Sequence, residues 1–218
     1  MFKEYETDDG FLKDRNKILD GNAILYTGCK LVAYEVLGII QREDYDNYLK
    51  IMTNWEAAKG LLNRAHKPKD DQSHDDYIGA CVEPRMAKRV YNYGSAHHWY
   101  FNNTGRSFTL NDWHGRTPGF VCHVKVCAGV EPSFWDRFFW TIDIVSTSFK
   151  RRKATSGRIQ DWVKVFKMQD SPHWLTRWAS NRFIRSIQKK YKGEIGEVFA
   201  IYHDANHPLS RSLNTVLF

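Results

Sequence analysis

Residues 120–149 read FVCHVKVCAGVEPSFWDRFFWTIDIVSTSF and predict two successive helices. The first covers Phe120 to Ala128 and the second covers Phe134 to Phe149, because the turn-forming residues Gly129-Val130-Glu131-Pro132 separate two runs with helical spacing of apolar side chains. Charged residues interrupt the longer run, so no bilayer-spanning segment is expected there.

Helical periodicity continues on both sides of this stretch, whereas alternating strand patterns are scarce. Further helices are predicted from Asn22 to about Val36, from Arg42 to Ala58, from Ser73, from Glu83-Pro84, from Gly157 to Met168, from Pro172 to Tyr191 and from Glu194 to Tyr202. Their short connections favour an all-α fold, with one compact multi-helix domain of about eight helices over residues 1–218. We expect residues 1–20 to be irregular and residues 203–218 to form a turn and tail.

Aromatic side chains make up 15% of the sequence and include eight tryptophans. Large rings bury much apolar area, so an aromatic-rich core is expected. The four cysteines (Cys29, Cys81, Cys122 and Cys127) are too scattered for a disulfide framework and indicate free thiols in a reducing compartment. The polar start of the chain lacks the apolar segment of a signal peptide, so synthesis in the cytoplasm is expected.

The charge distribution is uneven. Between Lys150 and Lys192 there are thirteen basic and two acidic side chains, whereas the remaining residues hold 19 basic and 23 acidic ones. Such a region attracts an anionic partner, which could be phosphate, an acidic glycan, a lipid headgroup or an acidic protein face.

The predicted helix from Pro172 to Tyr191 combines cations with large apolar side chains. Helical spacing places positions 174, 178, 184, 187 and 191 in an apolar stripe, which we expect to face the core, with Arg182, Arg185 and Lys189 on the opposite side. The candidate binding residues of the basic region are Lys150, Arg151, Arg152, Lys153, Arg177, Arg182, Arg185, Lys189 and Lys190.

Three classes of binding function fit this pattern. A nucleic-acid binder would use the cations for phosphates, but the sequence has no helix-turn-helix, RNA-recognition or zinc-finger signature. A membrane-surface protein would need exposed rings, which Phe134-Trp135 and Phe138-Phe139 could supply, although membrane contact is not expected. A subunit of an assembly would dock on an acidic neighbour with tryptophans as anchors.

The most suggestive catalytic pattern is His74-Asp75-Asp76-Tyr77. Two neighbouring carboxylates beside an imidazole could act as a general acid and base. Adjacent helical residues point about 100° apart, however, so capping of a helix start is the favoured role. The catalytic alternative would use Asp75, Asp76 and His74.

The histidines give no strong metal site. His97-His98 point apart on any regular element, and His203 and His207 lie in a stretch that leaves the helix. His123 is interpreted as a hydrogen-bonded core residue. With no nucleophile elbow and no phosphate-binding glycine loop, neither a cofactor nor a metal is expected.

Several short motifs occur together in a recognisable order. They are Asp20-Gly21-Asn22 with Leu25-Tyr26-Thr27-Gly28, Asn63-Arg64, Ser73-His74-Asp75-Asp76-Tyr77-Ile78-Gly79, Trp113-His114-Gly115-Arg116-Thr117-Pro118-Gly119 and Asn206-His207-Pro208-Leu209. The order resembles an uncharacterised family of tailed-bacteriophage proteins, often encoded near tail-fibre genes. The resemblance implies a phage origin and a virion or tail role, with other virion proteins as partners.

The first half is also faintly similar to helical-barrel glycan enzymes, although this chain is too short for their full set of helices. Glycoside hydrolysis needs two carboxylates roughly 5–10 Å apart, and Asp112 or Asp204 would be the second beside Asp75 or Asp76. The leading hypothesis is therefore a non-enzymatic virion or tail-associated structural protein that docks through its basic helical face. A glycan-directed hydrolase and a nucleic-acid-binding protein are the alternatives.

Overall fold

The computed structural model describes residues 7–11, 23–36, 40–63, 74–101, 118–149, 164–165, 167–168 and 171–191. This part of the chain is mostly helical, as predicted, with seven α-helices and one small sheet. The elements are α1 Ala23–Val36, α2 Arg42–Thr53, β1 Glu56–Ala58, β2 Leu61–Leu62, α3 His74–Ala80, α4 Pro84–Ala96, α5 Pro118–Cys127, α6 Phe134–Phe149 and α7 Trp174–Tyr191. Residues 7–11 of the predicted irregular segment are described and form a turn, in which the Gly10 amide donates to the Thr7 carbonyl at 2.8 Å. The rest of that segment, the C-terminal tail, the predicted helix from Glu194 to Tyr202 and most of the predicted helix from Gly157 lie outside the described residues.

The prediction that the second helix reaches Ala58 was wrong. The helix ends at Thr53, and the chain then forms an antiparallel hairpin in which Glu56 pairs with Leu62. Gly60 has a φ of +89°, so it makes the tight turn between the strands and does not end a helix. The Glu56 carboxylate accepts hydrogen bonds from the Gly60 amide (2.7 Å) and from Arg89 (2.6 Å), which ties the hairpin to α4.

Helices α1 and α3 cross in backbone contact. A Cβ atom on Gly28 would lie 2.4 Å from the carbonyl oxygen of Gly79, and a Cβ on Gly79 would lie 2.5 Å from the Cα of Leu25. Both distances are far below a carbon contact, so only glycine fits at the crossing. Tyr48 of α2 completes this layer by donating its hydroxyl to the Ile24 carbonyl at 2.7 Å.

Capping residues define where the later helices begin. Glu83 accepts a hydrogen bond from the Met86 amide at 2.6 Å, and Pro84 occupies the first turn of α4. At the start of α6, Ser133 donates its amide and its hydroxyl to Asp136, each at 2.8 Å. Lys125 of α5 also binds Asp136 at 2.6 Å, so this carboxylate joins α5 to α6.

The core lies where α5 packs between α4 and α6, with α1 and α3 beside it and α7 against α6. Fully buried large side chains in this core are Trp140, Tyr48, Tyr77, Phe11, Phe120, Ile24, Leu25, Met52, Leu62, Ile78 and Met86. The four cysteines are free thiols, and burial raises the pKa of Cys122 and of Cys127 to about 12. Among the helices described, none has the length and hydrophobicity to cross a membrane.

Candidate functional site

Helix α7 buries three small side chains together with Phe183 and exposes two tryptophans. Among the described side chains of α7, the buried ones are Thr176, Ala179, Ser180 and Phe183, whose spacing of three and four residues defines one helical face. Trp174 is 69% exposed and Trp178 is 47% exposed. The predicted core stripe was therefore wrong at both tryptophans, because the small residues bring α7 close to α6 and leave the rings outside. The other three positions of that stripe, Ile184, Ile187 and Tyr191, lie outside the described side chains.

The cations of α7 lie on the same side as these tryptophans. Arg182 follows Trp178 by four residues, and its guanidinium lies 5.7 Å from the centroid of the indole ring, within range of a cation–π interaction. The prediction that Arg182 faces away from Trp178 was therefore wrong. Arg177 and Arg185 are also exposed, and Arg177 donates to the Ser171 carbonyl at 3.0 Å.

The other predicted binding residues have different positions. Lys150, Arg151, Arg152 and Lys153 lie outside the described residues, and Lys189 and Lys190 lie in α7 but outside the described side chains. Two further lysines of the basic region are partly neutralised by carboxylates. Lys164 is buried with its Nζ 3.8 Å from Asp143, and Lys167 forms an ion pair with Glu35 of α1.

Helix α6 also exposes rings. Phe134 and Phe138 stack with their centroids 6.0 Å apart, and Trp135 contacts Phe138 edge-on at 5.9 Å. The opposite side of the helix is buried through Trp140 and Ile144. We call the exposed large apolar residues of both helices the aromatic surface; they are Phe134, Trp135, Phe139, Ile142, Trp174 and Trp178.

A groove of about 330 Å³ opens between the beginnings of α6 and α7. Its lining is largely apolar and consists of Phe134, Arg137, Phe138, Pro172, His173, Trp174, Leu175 and Thr176. This volume is at the lower end of the range of ligand sites, which is roughly 300–1,000 Å³. Two residues of the aromatic surface line this groove, Phe134 from α6 and Trp174 from α7.

One end of the groove carries a hydrogen-bonded charge network. The Nη1 of Arg137 donates to Glu131 at 2.7 Å and to the Pro132 carbonyl at 2.6 Å. These two bonds use both Nη1 hydrogens, so His173, whose Nε2 lies 2.8 Å from the same Glu131 oxygen, donates to the carboxylate. The network joins the loop before α6 to the beginning of α7 and fixes the shape of the groove.

The Asp75-Asp76 pair does not form one shared site. Asp76 is 1% exposed, and its Oδ1 accepts a hydrogen bond from the Leu25 amide in the first turn of α1 at 3.2 Å. Asp75 lies beside His74, with 3.8 Å between Oδ1 and Nδ1. Asp76 therefore satisfies an amide in the first turn of α1, whereas the capping interpretation assigned it to the start of its own helix, α3.

A half-buried imidazole, His74, lies on α3, and a fully buried one, His123, lies on α5. The Nε2 of His123 is 3.2 Å from the Ile78 carbonyl, and the residue is completely buried, as predicted for a core histidine. Burial, together with the positive charge of Lys164 and Lys167, lowers the pKa of His123 to about 3. Burial and the charges of Lys164 and His123 lower the pKa of His74 well below its usual value. Both rings are neutral at pH 7.

The histidines considered as metal ligands are not clustered in the part of the chain that the structure describes. There, no group of three or more His, Cys, Asp and Glu side chains is arranged to hold a metal. His97 stacks on Tyr93 with ring centroids 4.0 Å apart, and its Nδ1 lies 2.9 Å from the Tyr93 carbonyl. His203, His207, Asp112 and Asp204 lie outside the described residues.

Comparison with known proteins gives no relative for this site, because no protein-family model, no curated protein and no solved structure matches the chain. Sequence reasoning identified Arg177, Arg182 and Arg185 but missed the exposed rings beside them. The buried face of α7 could have been predicted from its small residues, since they recur at spacings of three and four along the helix.

Proposed function

We propose that this chain is a non-enzymatic docking protein that binds an acidic protein partner through the aromatic surface together with Arg177, Arg182 and Arg185. The observation that carries the proposal is the shared face of α7, where two exposed tryptophans lie among exposed arginines. Tryptophan and arginine are the side chains most enriched among those that dominate protein–protein binding energy.

The apolar part supplies affinity. A contiguous group of exposed large apolar side chains is uncommon on a monomeric protein and marks a site of interaction. Burying one large apolar side chain contributes roughly 1.5–3 kcal/mol before the costs of association. Several residues of the aromatic surface would therefore be sufficient for a stable contact.

The cationic part selects the partner. Exposed arginines beside an apolar surface steer an acidic partner toward the contact and disfavour a basic one. Screening by salt weakens this attraction, since the Debye length is about 8 Å at physiological ionic strength. Association is therefore expected to slow as the salt concentration rises.

A protein partner fits this surface better than a nucleic acid or a lipid headgroup layer. Stacking on bases would use the rings but leave the aliphatic Ile142 without a role. A fluid lipid surface would not require the fixed groove with its network of Glu131, Arg137 and His173. A protein offers side chains of defined shape that can enter a groove.

The phage role is part of the same proposal. The resemblance of the sequence motifs to a tailed-phage family makes another virion protein the expected partner, with the chain made in the host cytoplasm and assembled into the virion or tail. A single domain of about eight helices with an aromatic-rich core would serve as the rigid support. The glycan-hydrolase alternative has less support, because the Asp76 carboxylate is buried against the start of α1.

The test is incorporation into purified phage particles, quantified by mass spectrometry after complementation with variant genes. Wild-type chain should be present, and Arg182→Glu with Arg185→Glu should reduce incorporation at least tenfold. The matched control, Lys50→Glu with Lys59→Glu, makes the same charge change at exposed positions of α2 and the hairpin and should have no effect. Absence of the wild-type chain from particles would contradict the virion role.

A further inference from the structure

We propose that the groove between α6 and α7 is an anchor pocket for an acidic peptide segment of the partner. In this complex an apolar side chain of the segment enters the groove, and a neighbouring carboxylate binds Arg137. The inference rests on the proposed docking function and specifies the chemistry that this surface recognises.

The walls of the groove accept an apolar side chain. Phe134 and Phe138 form one side with stacked rings, and Trp174 and Leu175 form the other. Aromatic rings pair favourably with a further ring or an aliphatic group at centroid distances of roughly 4.5–7 Å. Because Phe134 and Trp174 are both more than half exposed, an apolar side chain of the segment can enter the groove from solvent without opening the core.

Arg137 supplies the polar contact. Its Nη1 is occupied by Glu131 and Pro132, but no described residue accepts a hydrogen bond from its Nε or Nη2. The side chain is 21% exposed and lines the groove. A guanidinium with one occupied nitrogen and two remaining donors suits a carboxylate, which it can bind through two parallel hydrogen bonds.

The charges around the groove favour an acidic ligand over a basic one. The lining contains Arg137 and His173 and, within the described structure, no carboxylate. The nearby carboxylate of Glu131 is already bound by both of these residues. Further along α7, Arg182 and Arg185 extend the positive face, so a second acidic residue of the segment would also lie in a favourable field.

The experiment measures binding of three pentapeptides to the full chain by isothermal titration calorimetry. The probe is acetyl-Asp-Asp-Phe-Asp-Asp-amide, and the controls replace either all four aspartates with asparagine or the phenylalanine with alanine. The probe should bind, and each control should bind at least tenfold more weakly. Equal binding of the asparagine peptide would overturn the role of Arg137, and equal binding of the alanine peptide would overturn the role of the groove.

Three variants connect binding to the groove. Phe134→Ala changes an exposed side chain and should lower the affinity for the probe peptide at least fivefold without loss of fold. Arg137→Lys keeps the charge but lacks the planar fork, and should also weaken it at least fivefold. Lys59→Glu, away from these helices, should change binding less than twofold, and a larger effect than that of Phe134→Ala would overturn the proposal.

The outcome separates this inference from the docking proposal. If the chain enters phage particles in an Arg182- and Arg185-dependent manner but the acidic peptide does not bind, the anchor pocket is wrong and the docking function stands. If neither occurs, both are wrong. Binding of phosphatidylserine vesicles or of a single-stranded oligonucleotide, without binding of the peptide, would overturn the assignment to an acidic protein segment.

Discussion

The guanidinium of Arg182 lies 5.7 Å from the ring centroid of Trp178, so a cation and a large apolar ring share one exposed face of α7. Neither residue faces the core, which α7 contacts through Thr176, Ala179, Ser180 and Phe183. The exposed side of α7 therefore carries both the arginines and the tryptophans, so the proposed binding and the packing against the core use different sides of the helix.

Charge reversal on this face should change binding but not stability. Arg182→Glu with Arg185→Glu alters two exposed positions, and surface substitutions of this kind usually change the free energy of unfolding by less than about 0.5 kcal/mol. The affinity for the acidic pentapeptide should fall and lose most of its dependence on salt. Titrations at two salt concentrations and urea unfolding check both statements, and a large loss of stability would show that these arginines have a structural role.

The crossing of α1 and α3 should tolerate no side chain at Gly28. In Gly28→Ala the new Cβ would lie 2.4 Å from the Gly79 carbonyl oxygen, so the helices must separate. We expect a loss of at least about 2 kcal/mol in the free energy of unfolding. Gly129→Ala is the control, because a Cβ there meets no atom within 4 Å and the change tests only the strain of a positive φ. Equal losses would contradict the tight crossing.

Stability should fall with acidification between about pH 6.5 and pH 3. In the folded state burial lowers the pKa of His123 to about 3, whereas the unfolded value is about 6.5, so below pH 6.5 the unfolded state takes up the proton first. Above pH 6.5 this histidine has no effect on how the free energy of unfolding depends on pH. Between pH 6.5 and pH 3 it lowers the free energy of unfolding by roughly 1.4 kcal/mol per pH unit. His74, whose pKa is also lowered by burial, should act in the same direction.

His123→Gln tests the origin of this acid sensitivity. Glutamine keeps an N–H near the Ile78 carbonyl but does not titrate. The number of protons taken up on unfolding should therefore fall by about one, so the free energy of unfolding should decrease less steeply between pH 6.5 and pH 5. Urea midpoints at several pH values measure the slope. An unchanged slope would assign the acid sensitivity to other groups.

The buried hydroxyl of Thr176 is expected to lower the stability of the folded state. Its Oγ1 is buried and has no hydrogen-bond partner among the described residues, and an unpaired buried polar group costs about 1–3 kcal/mol. Thr176→Val keeps the shape of the side chain and should raise the free energy of unfolding by about 1 kcal/mol. Thr176→Ser keeps the hydroxyl and should not stabilise. A destabilised valine variant would show that the hydroxyl is paired in solution.

The beginnings of helices that carry capping residues or a first-turn proline could be predicted from the sequence. Ser133 and Asp136 form the hydrogen bonds that start α6, and Glu83 with Pro84 starts α4, so short-range chemistry fixed both boundaries. The hairpin after α2 was missed because Gly60, which suits the end of a helix, also suits a β-turn. The choice depends on the contact of Glu56 with Arg89, far away in the sequence.

The candidate site was only half predictable. Charge counting identified Arg177, Arg182 and Arg185, because charge is a property of composition. Trp174 and Trp178 were assigned to the core because of their size, whereas small residues such as Ala179 and Ser180 form the buried side of α7 and allow a close approach. The groove depends on which helix lies beside which, and no local pattern encodes the pairing of α6 with α7.

The proposed docking function can be tested by photo-crosslinking in infected cells, with benzoylphenylalanine replacing Trp178 in one variant and Asn92, an exposed residue of α4, in another. Under the proposed phage role, position 178 should crosslink to a phage protein through an acidic segment, position 92 should not, and Arg182→Glu with Arg185→Glu should remove the product. No product at position 178 beyond that at position 92, or products with lipid or nucleic acid alone, would contradict it.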